Sequence, residues 1–337
     1  MGSIEKTAKS KIDLIRDEIA ERQKNFLKFS SGDPEGTKER AKDPYDFYYE
    51  YYFSDIKDNL LNGKMDKEHW WEYRWGSGGE TRPPKMACVY SSSAMAFNLL
   101  GNKKVTFISD STKKQYFTPD GHAIEYDIKY EKQLQILTGR GAPANFDAFL
   151  YNDKERKAIF CEMKMTEWLN KPDKNLSSAY LEENRYFYKN NYKFFEDLIK
   201  KMKKDPMHKR YDRWQMFKHT LAIFNATCHE NHDSDVKRAI PKVTFKDKYD
   251  KITLINVVYM PGANNFSDSL QEKYNEMEKE ETEGFKYFRE MMLESGLQER
   301  FEKKCGVDFN IVFITAHEFI DCMEKTNSEK KYLERYW

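Results

Sequence analysis

No apolar run in this chain approaches the roughly 20 residues that a membrane span needs, so no transmembrane segment is expected. The N-terminus mixes acids and bases without an apolar core, unlike a secretory leader, and the cytoplasm is the expected compartment. Cysteine is scarce. Cys88, Cys161, Cys228, Cys305 and Cys322 are odd in number, include no CxxC pair and mostly have apolar neighbours. That is the pattern of free thiols in a reducing compartment, not of a disulfide framework. Neither a P-loop nor a GxGxxG is found, which argues against nucleotide hydrolysis and a dinucleotide cofactor. Charge of one sign is missing too. With 57 Lys and Arg against 56 Asp and Glu, any basic surface for nucleic acid must be local.

What is present is enough for a folded chain. The 22 Tyr and 23 Phe supply apolar surface to offset the entropy of ordering, and 337 residues suffice for one large domain or two ordinary ones. Helical spacing runs from Ile4 to about Phe29, with Ile12, Ile15, Ile19 and Phe26, and stops at Ser31-Gly32-Asp33-Pro34. Asp43-Pro44 opens a second helix carrying Tyr45, Tyr48, Tyr49, Tyr52, Phe53 and Ile56. An aromatic cluster, His69 to Trp75, a glycine loop and Arg82 follow, then a small-residue helix from Ser91 to Leu100 stopped by Gly101.

From Lys104 the pattern turns to strands, at Val105–Ile108, Ala123–Tyr130, Gln133–Leu137, Phe146–Tyr151 and Ala158–Met165. Helical spacing returns through Leu181, Tyr188, Tyr192, Phe195, Ile199 and Met202, and again through Trp214, Phe217, Leu221 and Phe224. Two buried strands, Ile252–Tyr259 and Phe309–Thr315, enclose a long charged helix at about 267–300, and His317–Met323 closes the chain. No repeat and no low-complexity linker interrupts this order. It predicts an α/β fold, a mixed central sheet flanked by helices over 85–337, with a helical N-terminal extension over 1–84.

The most telling stretch is Asn145-Phe146-Asp147-Ala148 followed, after a polar turn, by Ile159-Phe160-Cys161-Glu162-Met163-Lys164. Strand alternation puts Glu162 and Lys164 on one face, with Cys161, Met163 and Met165 on the other. A Glu–x–Lys pair is most often a solvated ion-paired face. Here it interrupts an apolar strand, and a buried charge is costly unless paired or coordinated. Asp147 and Glu162, with the Met163 carbonyl, offer hard oxygen ligands for Mg²⁺ (or Mn²⁺). Lys164 beside them would orient the attacking water or stabilise a pentavalent phosphorane.

This arrangement resembles the core of the PD-(D/E)XK nuclease superfamily, the fold of restriction endonucleases, and within it a bacterial family of restriction endonuclease-like proteins. That family's pattern couples a Ser-Ser-x-Ala-x-x-x-Asn helix to Asn-x-Asp-Ala and Glu-x-Lys-x-Thr-Glu. Here these are Ser91 to Asn98, Asn145 to Ala148 and Glu162 to Glu167. The likeness spans about Cys88 to Phe224. The proline of the superfamily name is replaced by the Asn145-Phe146 stretch, and the early helix lacks the Glu that many members use as a ligand. The resemblance implies DNA phosphodiester hydrolysis, with Glu125 standing in as the extra carboxylate, Gln215 pointing back to the site and Lys218 one turn on. It also implies a homodimer, since two strands need two sites. Glu167 either extends the carboxylate set or begins the next helix, where acids favour the dipole.

Other signals carry less. Cys228-His229-x-x-His232 lacks a matching second pair for zinc, which favours an ordinary helix end. The His69–Trp75 cluster is a stacking surface or, more commonly, core. Clusters such as Lys200, Lys201, Lys203 and Lys204, or Lys246 and Lys248, are mostly solvated faces. Arg140, in the Thr138-Gly139-Arg140-Gly141 loop, is the better candidate for a substrate backbone contact. The expectation is therefore a metal-dependent DNA nuclease with Asp147, Glu162, Lys164 and Gln215 at its centre. The alternative is a nucleic-acid-binding or structural module that keeps the fold without turnover.

Overall fold

The computed structural model describes residues 9–31, 56–61, 85–101, 103–108, 113–139, 141–170, 176–205, 210–230 and 241–337. Helix α1 (Lys11–Ser31) comes first, then α2 (Ser92–Leu100), which starts at Ser91, whose hydroxyl accepts the Ala94 N–H, and stops at Gly101 with φ of 86°. Strand β1 (Lys104–Phe107) and the short α3 (Lys114–Phe117) lead to β2 (Ile124–Leu134), β3 (Ala144–Asn152) and β4 (Lys157–Lys164). These four strands form an antiparallel meander.

The connection rule then changes. Helices α4 (Tyr192–Lys204) and α5 (Arg213–Thr227) carry the chain to β5 (Lys251–Val258), and α6 (Asp268–Glu294) and α7 (Leu297–Cys305) to β6 (Asp308–Thr315). Both strands run parallel to β4, which requires such long crossovers. Among the described residues, six strands lie in chain order in one mixed sheet, and α8 (Ala316–Asp321), α9 (Asn327–Leu333) and a 3-10 turn at Glu334–Tyr336 follow. The expected mixed α/β sheet flanked by helices is what the molecule has. Among the described residues, no helix is long and apolar enough to cross a membrane.

Helices cover both faces, so β4 and β5 are buried almost throughout. On one face Cys161, Met163, Ile255 and Val257 pack with Ile15 and Ile19 of α1 and Met95, Ala96 and Leu99 of α2. On the other, Phe160, Leu254 and Phe309 pack with Phe195 and Ile199 of α4 and Phe217 and Leu221 of α5.

Three expected elements differ. The strands expected at 123–130 and 133–137 are one strand, bent at Glu131, whose φ is 49°. A left-handed residue inside a strand inverts the alternation: Ile128 lies on the α2 side of the sheet and Leu134 on the α5 side, although both are even-numbered. The long charged helix ends at Glu294, because Gly296 adopts φ of 80° and α7 starts afresh. The spacing from Leu181 to Tyr188 gives short 3-10 turns; the helix begins only at Tyr192. Apart from Ile56, the helix opened by Asp43-Pro44, the His69–Trp75 cluster and its glycine loop lie outside the described residues.

The chain's end is locked to its beginning by one buried cation. Arg335 is 1% exposed. Its Nε donates to Gln23 Oε1 (2.6 Å), Nη2 to Asn59 Oδ1 (2.8 Å) and Nη1 to the Tyr332 hydroxyl (2.9 Å). Gln23 Nε2 donates back to the Arg335 carbonyl at 2.7 Å, and Asn98 of α2 donates to the Tyr336 hydroxyl at 2.8 Å. All these acceptors are neutral, so the guanidinium is held by hydrogen bonds and by the Tyr332 and Tyr336 rings. Removing it would leave Gln23 Oε1 and Asn59 Oδ1 buried without their donors. Arg335→Ala is therefore expected to lower unfolding free energy by about 2–4 kcal/mol in urea titrations; a loss under about 0.5 kcal/mol, typical of a surface change, would contradict this.

Candidate active site

Ladder geometry brings the acids together. Strands β3 and β4 pair down to Ala148 with Cys161, so the next step along sets Asp147 across from Glu162. Residues across from each other in an antiparallel pair sit close, although here Asp147 borders a hollow beside α2 and Glu162 one beside α5. There the ladder ends, and Met163 N–H is taken by Asp147 Oδ2 at 2.6 Å instead of by a strand carbonyl. On the other side of β4, Glu162 pairs in register with Asn256 of β5. Asp147, Glu162 and Asn256 thus stand at one level on three neighbouring strands.

Glu162 is 4% exposed and its carboxylate is fully engaged. Oε1 lies 2.6 Å from Lys164 Nζ and accepts the Gln215 Nε2–H at 2.8 Å. Oε2 is 2.8 Å from His219 Nε2. Gln215 and His219 are four apart on α5 and so project from one side of it. Asp212 fixes that helix's start by accepting the Gln215 N–H at 3.0 Å, and the Phe146 ring lies against the His219 ring at 4.4 Å.

Electrostatics divides the two acids. Burial alone would push the Glu162 carboxyl up, but the Lys164 ammonium and His219 outweigh it and carry it down to about 2. Asp147 goes the other way. Burial, reinforced by Glu162 and Glu131, holds it well above the usual carboxylate range. Lys164 loses stabilisation to burial, yet Glu162 and Glu167 raise its pKa above the ordinary value.

The pair separates two hollows. One, of about 110 Å³, is lined by Glu162, Lys164, Gln215, Asn256, Glu281 and Arg210, among others. The second, of about 280 Å³, is bordered by Ser92, Ser93, Glu131, Asn145 and Asp147. Glu167 borders both. Its Oε2 accepts the N–H groups of Met165 (2.8 Å) and Thr166 (3.0 Å), so it closes the turn after β4 at the start of a 3-10 helix.

Of the residues singled out from sequence, Asp147, Glu162, Met163, Lys164 and Gln215 are brought together. Glu125 is not. It pairs with Lys104 at 2.5 Å, opposite Thr106 of β1 and six residues from Glu131, about 20 Å along β2 at ~3.3 Å per residue. The carboxylate that β2 does supply is Glu131, which lies across from Asp147 between the Tyr130–Ala148 and Lys132–Phe146 pairs and bonds Asn145. Lys218 borders a separate hollow with Thr138, Gly141 and Trp214, away from Glu162. Arg140 and His232 lie outside the described residues. His219 was missed as a site residue; its spacing of four from Gln215 was the available signal. Asn98 of the Ser-Ser-x-Ala helix serves the chain-end lock, not the site.

The donor set suits a hard divalent ion. Burial, with the repulsion of Glu162 and Glu131 added to it, holds the Asp147 carboxyl up, and a dication would offset both. Among the described residues no three His, Cys, Asp or Glu side chains form a ready-made cage. Mg²⁺ needs fewer, since it keeps several waters and takes one or two carboxylates.

A family model described as Restriction Endonuclease associating with ARP matches residues 20–245, a span that includes Asp147, Glu162, Lys164, Gln215 and His219. No curated protein and no solved structure matches the chain.

The opposed shifts give a pH signature. Glu162 is depressed from 4.5, so its stabilisation is complete above that value and is lost as pH falls toward about 2. Asp147 is raised from 3.8, so its ionisation costs stability as pH climbs past that value without a cation. Asp147→Asn, measured in chelator, is therefore expected to gain on the order of 1 kcal/mol at pH 7 in urea melts, a gain that shrinks below pH 3.8. Destabilisation at pH 7 would contradict it.

Proposed function

The chain belongs to the Restriction Endonuclease associating with ARP family, and from that premise we propose that it is a metal-dependent nuclease that hydrolyses DNA phosphodiester bonds. The observation that carries the reading is the pairing of Asp147 with Glu162 where β3 and β4 part, with Lys164 on the same face as Glu162. A buried carboxylate with a half-buried one close by serves no packing purpose; the two suit a cation that neutralises them.

In this reading Asp147, Glu162 and the Met163 carbonyl would hold Mg²⁺ or Mn²⁺. The ion supplies charge neutralisation at phosphorus and polarises water. The chain's own residues do the rest. Gln215 and His219 clamp Glu162 in one rotamer, so the carboxylate itself would be held in place for an ion, although Lys164 also sits on Oε1. Lys164 is a cation within reach of the same point, suited to orient the attacking water and to stabilise charge that develops on the phosphorane. Asp147 keeps Met163 main chain fixed through the 2.6 Å hydrogen bond.

One observation favours the rival reading, a nucleic-acid-binding module without turnover. Every oxygen of Glu162 is already partnered, as in a structural ion pair. Incubation with plasmid, linear and single-stranded DNA, and RNA, with Mg²⁺, Mn²⁺ or chelator, separates the two. Cutting of DNA that needs the metal is expected, with Asp147→Ala and Lys164→Ala each lowering the rate about 100-fold or more. Metal-dependent cutting that survives in both variants would remove the site assignment. Binding without cutting on every substrate would favour the rival.

A further inference from the structure

A cation that binds Glu162 must first contend with Lys164. The ammonium occupies Oε1 at 2.6 Å, while Gln215 and His219 hold the remaining positions from α5. A dication and an ammonium on one carboxylate oxygen repel each other, so an ion that took Oε1 would displace Lys164. Its four-carbon stem allows this. The question is what receives it, because an ammonium left buried and unpaired is costly.

Four carboxylates surround Lys164. Besides Glu162, Asp147 and Glu167 act on it electrostatically, and it acts on Glu281. Asp147 already accepts the Met163 N–H and is itself a ligand of the proposed ion. Glu167 accepts two main-chain N–H groups through Oε2. Glu281 differs. It projects from α6 into the same hollow of about 110 Å³ that Lys164 lines, it is 3% exposed, and its Oε2 has no hydrogen-bond partner. Asn256, also 3% exposed and in register with Glu162, adds an unpartnered Oδ1 to the same hollow.

We infer that Glu281, helped by Asn256, is the second seat of the Lys164 ammonium, taken up when Glu162 is given over to a metal ion. The inference rests on the metal-site reading above and makes Glu281 a positioning residue that acts through Lys164. The nearby Arg210 does not fill the place. Its Nε donates to Glu280 at 2.7 Å and its Nη1 to the Leu169 carbonyl at 2.9 Å. Burial pushes the Glu281 carboxyl up to about 8 although Arg210 pulls it down, the condition of an acid with no cation in contact. Both Glu281 and Asn256 lie beyond the matched span of 20–245, so their assignment comes from geometry alone.

Calorimetric titration with MnCl₂, without substrate, tests this through a double-mutant cycle on the intact chain. Glu281→Gln is expected to weaken Mn²⁺ binding about tenfold, because Lys164 then has no alternative to Glu162. In a Lys164→Met background the same substitution is expected to change affinity less than about twofold. Glu281→Asp, which keeps a carboxylate, is expected to restore most of the affinity, and circular dichroism checks that each variant is folded. Unchanged affinity in Glu281→Gln, or an equal loss in both backgrounds, would overturn the inference while leaving the metal site standing. Absence of Mn²⁺ binding by the unaltered protein would overturn the metal-site reading itself, and the second seat with it.

Discussion

A carboxylate buried in the fourth strand of the sheet governs the architecture around it. Glu162 is charged, 4% exposed and flanked by apolar residues, so the fold has to compensate it with three partners. Lys164 comes from its own strand, Gln215 and His219 from α5. That requirement fixes the phase of α5 against the sheet. It also explains why α5 begins where it does, with Asp212 capping the turn that presents Gln215. Without such partners a charge at this depth would neutralise or unfold the strand.

The topology then sets what lies near that charge. β4 is the hinge between an antiparallel meander and a parallel pair, so its two neighbours bring different chemistry. The meander side offers Asp147 and, through the left-handed kink of β2, Glu131. The parallel side offers Asn256, and the crossover helix α6 sets Glu281 above it. A residue held at φ of 49° inside a strand is strained, and such strain tends to collect at functional positions. Acids thus lie on one side of β4 and unpartnered acceptors on the other, with Lys164 lining the hollow that holds the acceptors.

The mixed sheet and the closeness of Asp147, Glu162 and Lys164 were legible in the sequence because they rest on local signals. The apolar run from Ile159 to Met165, broken only by Glu162 and Lys164, announces both a buried strand and an unusual demand on it. Gln215 followed from the resemblance. What was not legible depends on how elements meet. His219 gains its role from the rotation of α5. Glu125 and Glu131 look alike on paper, and only the register of the β2–β3 hairpin shows which of them reaches Asp147. Glu281 sits in a helix crowded with acids, where nothing local marks one as buried. The split of the long charged helix at Gly296 escaped because charged residues carry the helical pattern through it.

A divalent ion held between Asp147 and Glu162 is what nuclease activity at this site requires. An anomalous-difference map from crystals soaked in MnCl₂ tests this most directly. It is predicted to show one peak about 2.1 Å from carboxylate oxygens of both residues and from the Met163 carbonyl, with the Lys164 ammonium no longer on Glu162. A map with no peak there, and Lys164 still closed onto Glu162 at saturating Mn²⁺, would contradict it.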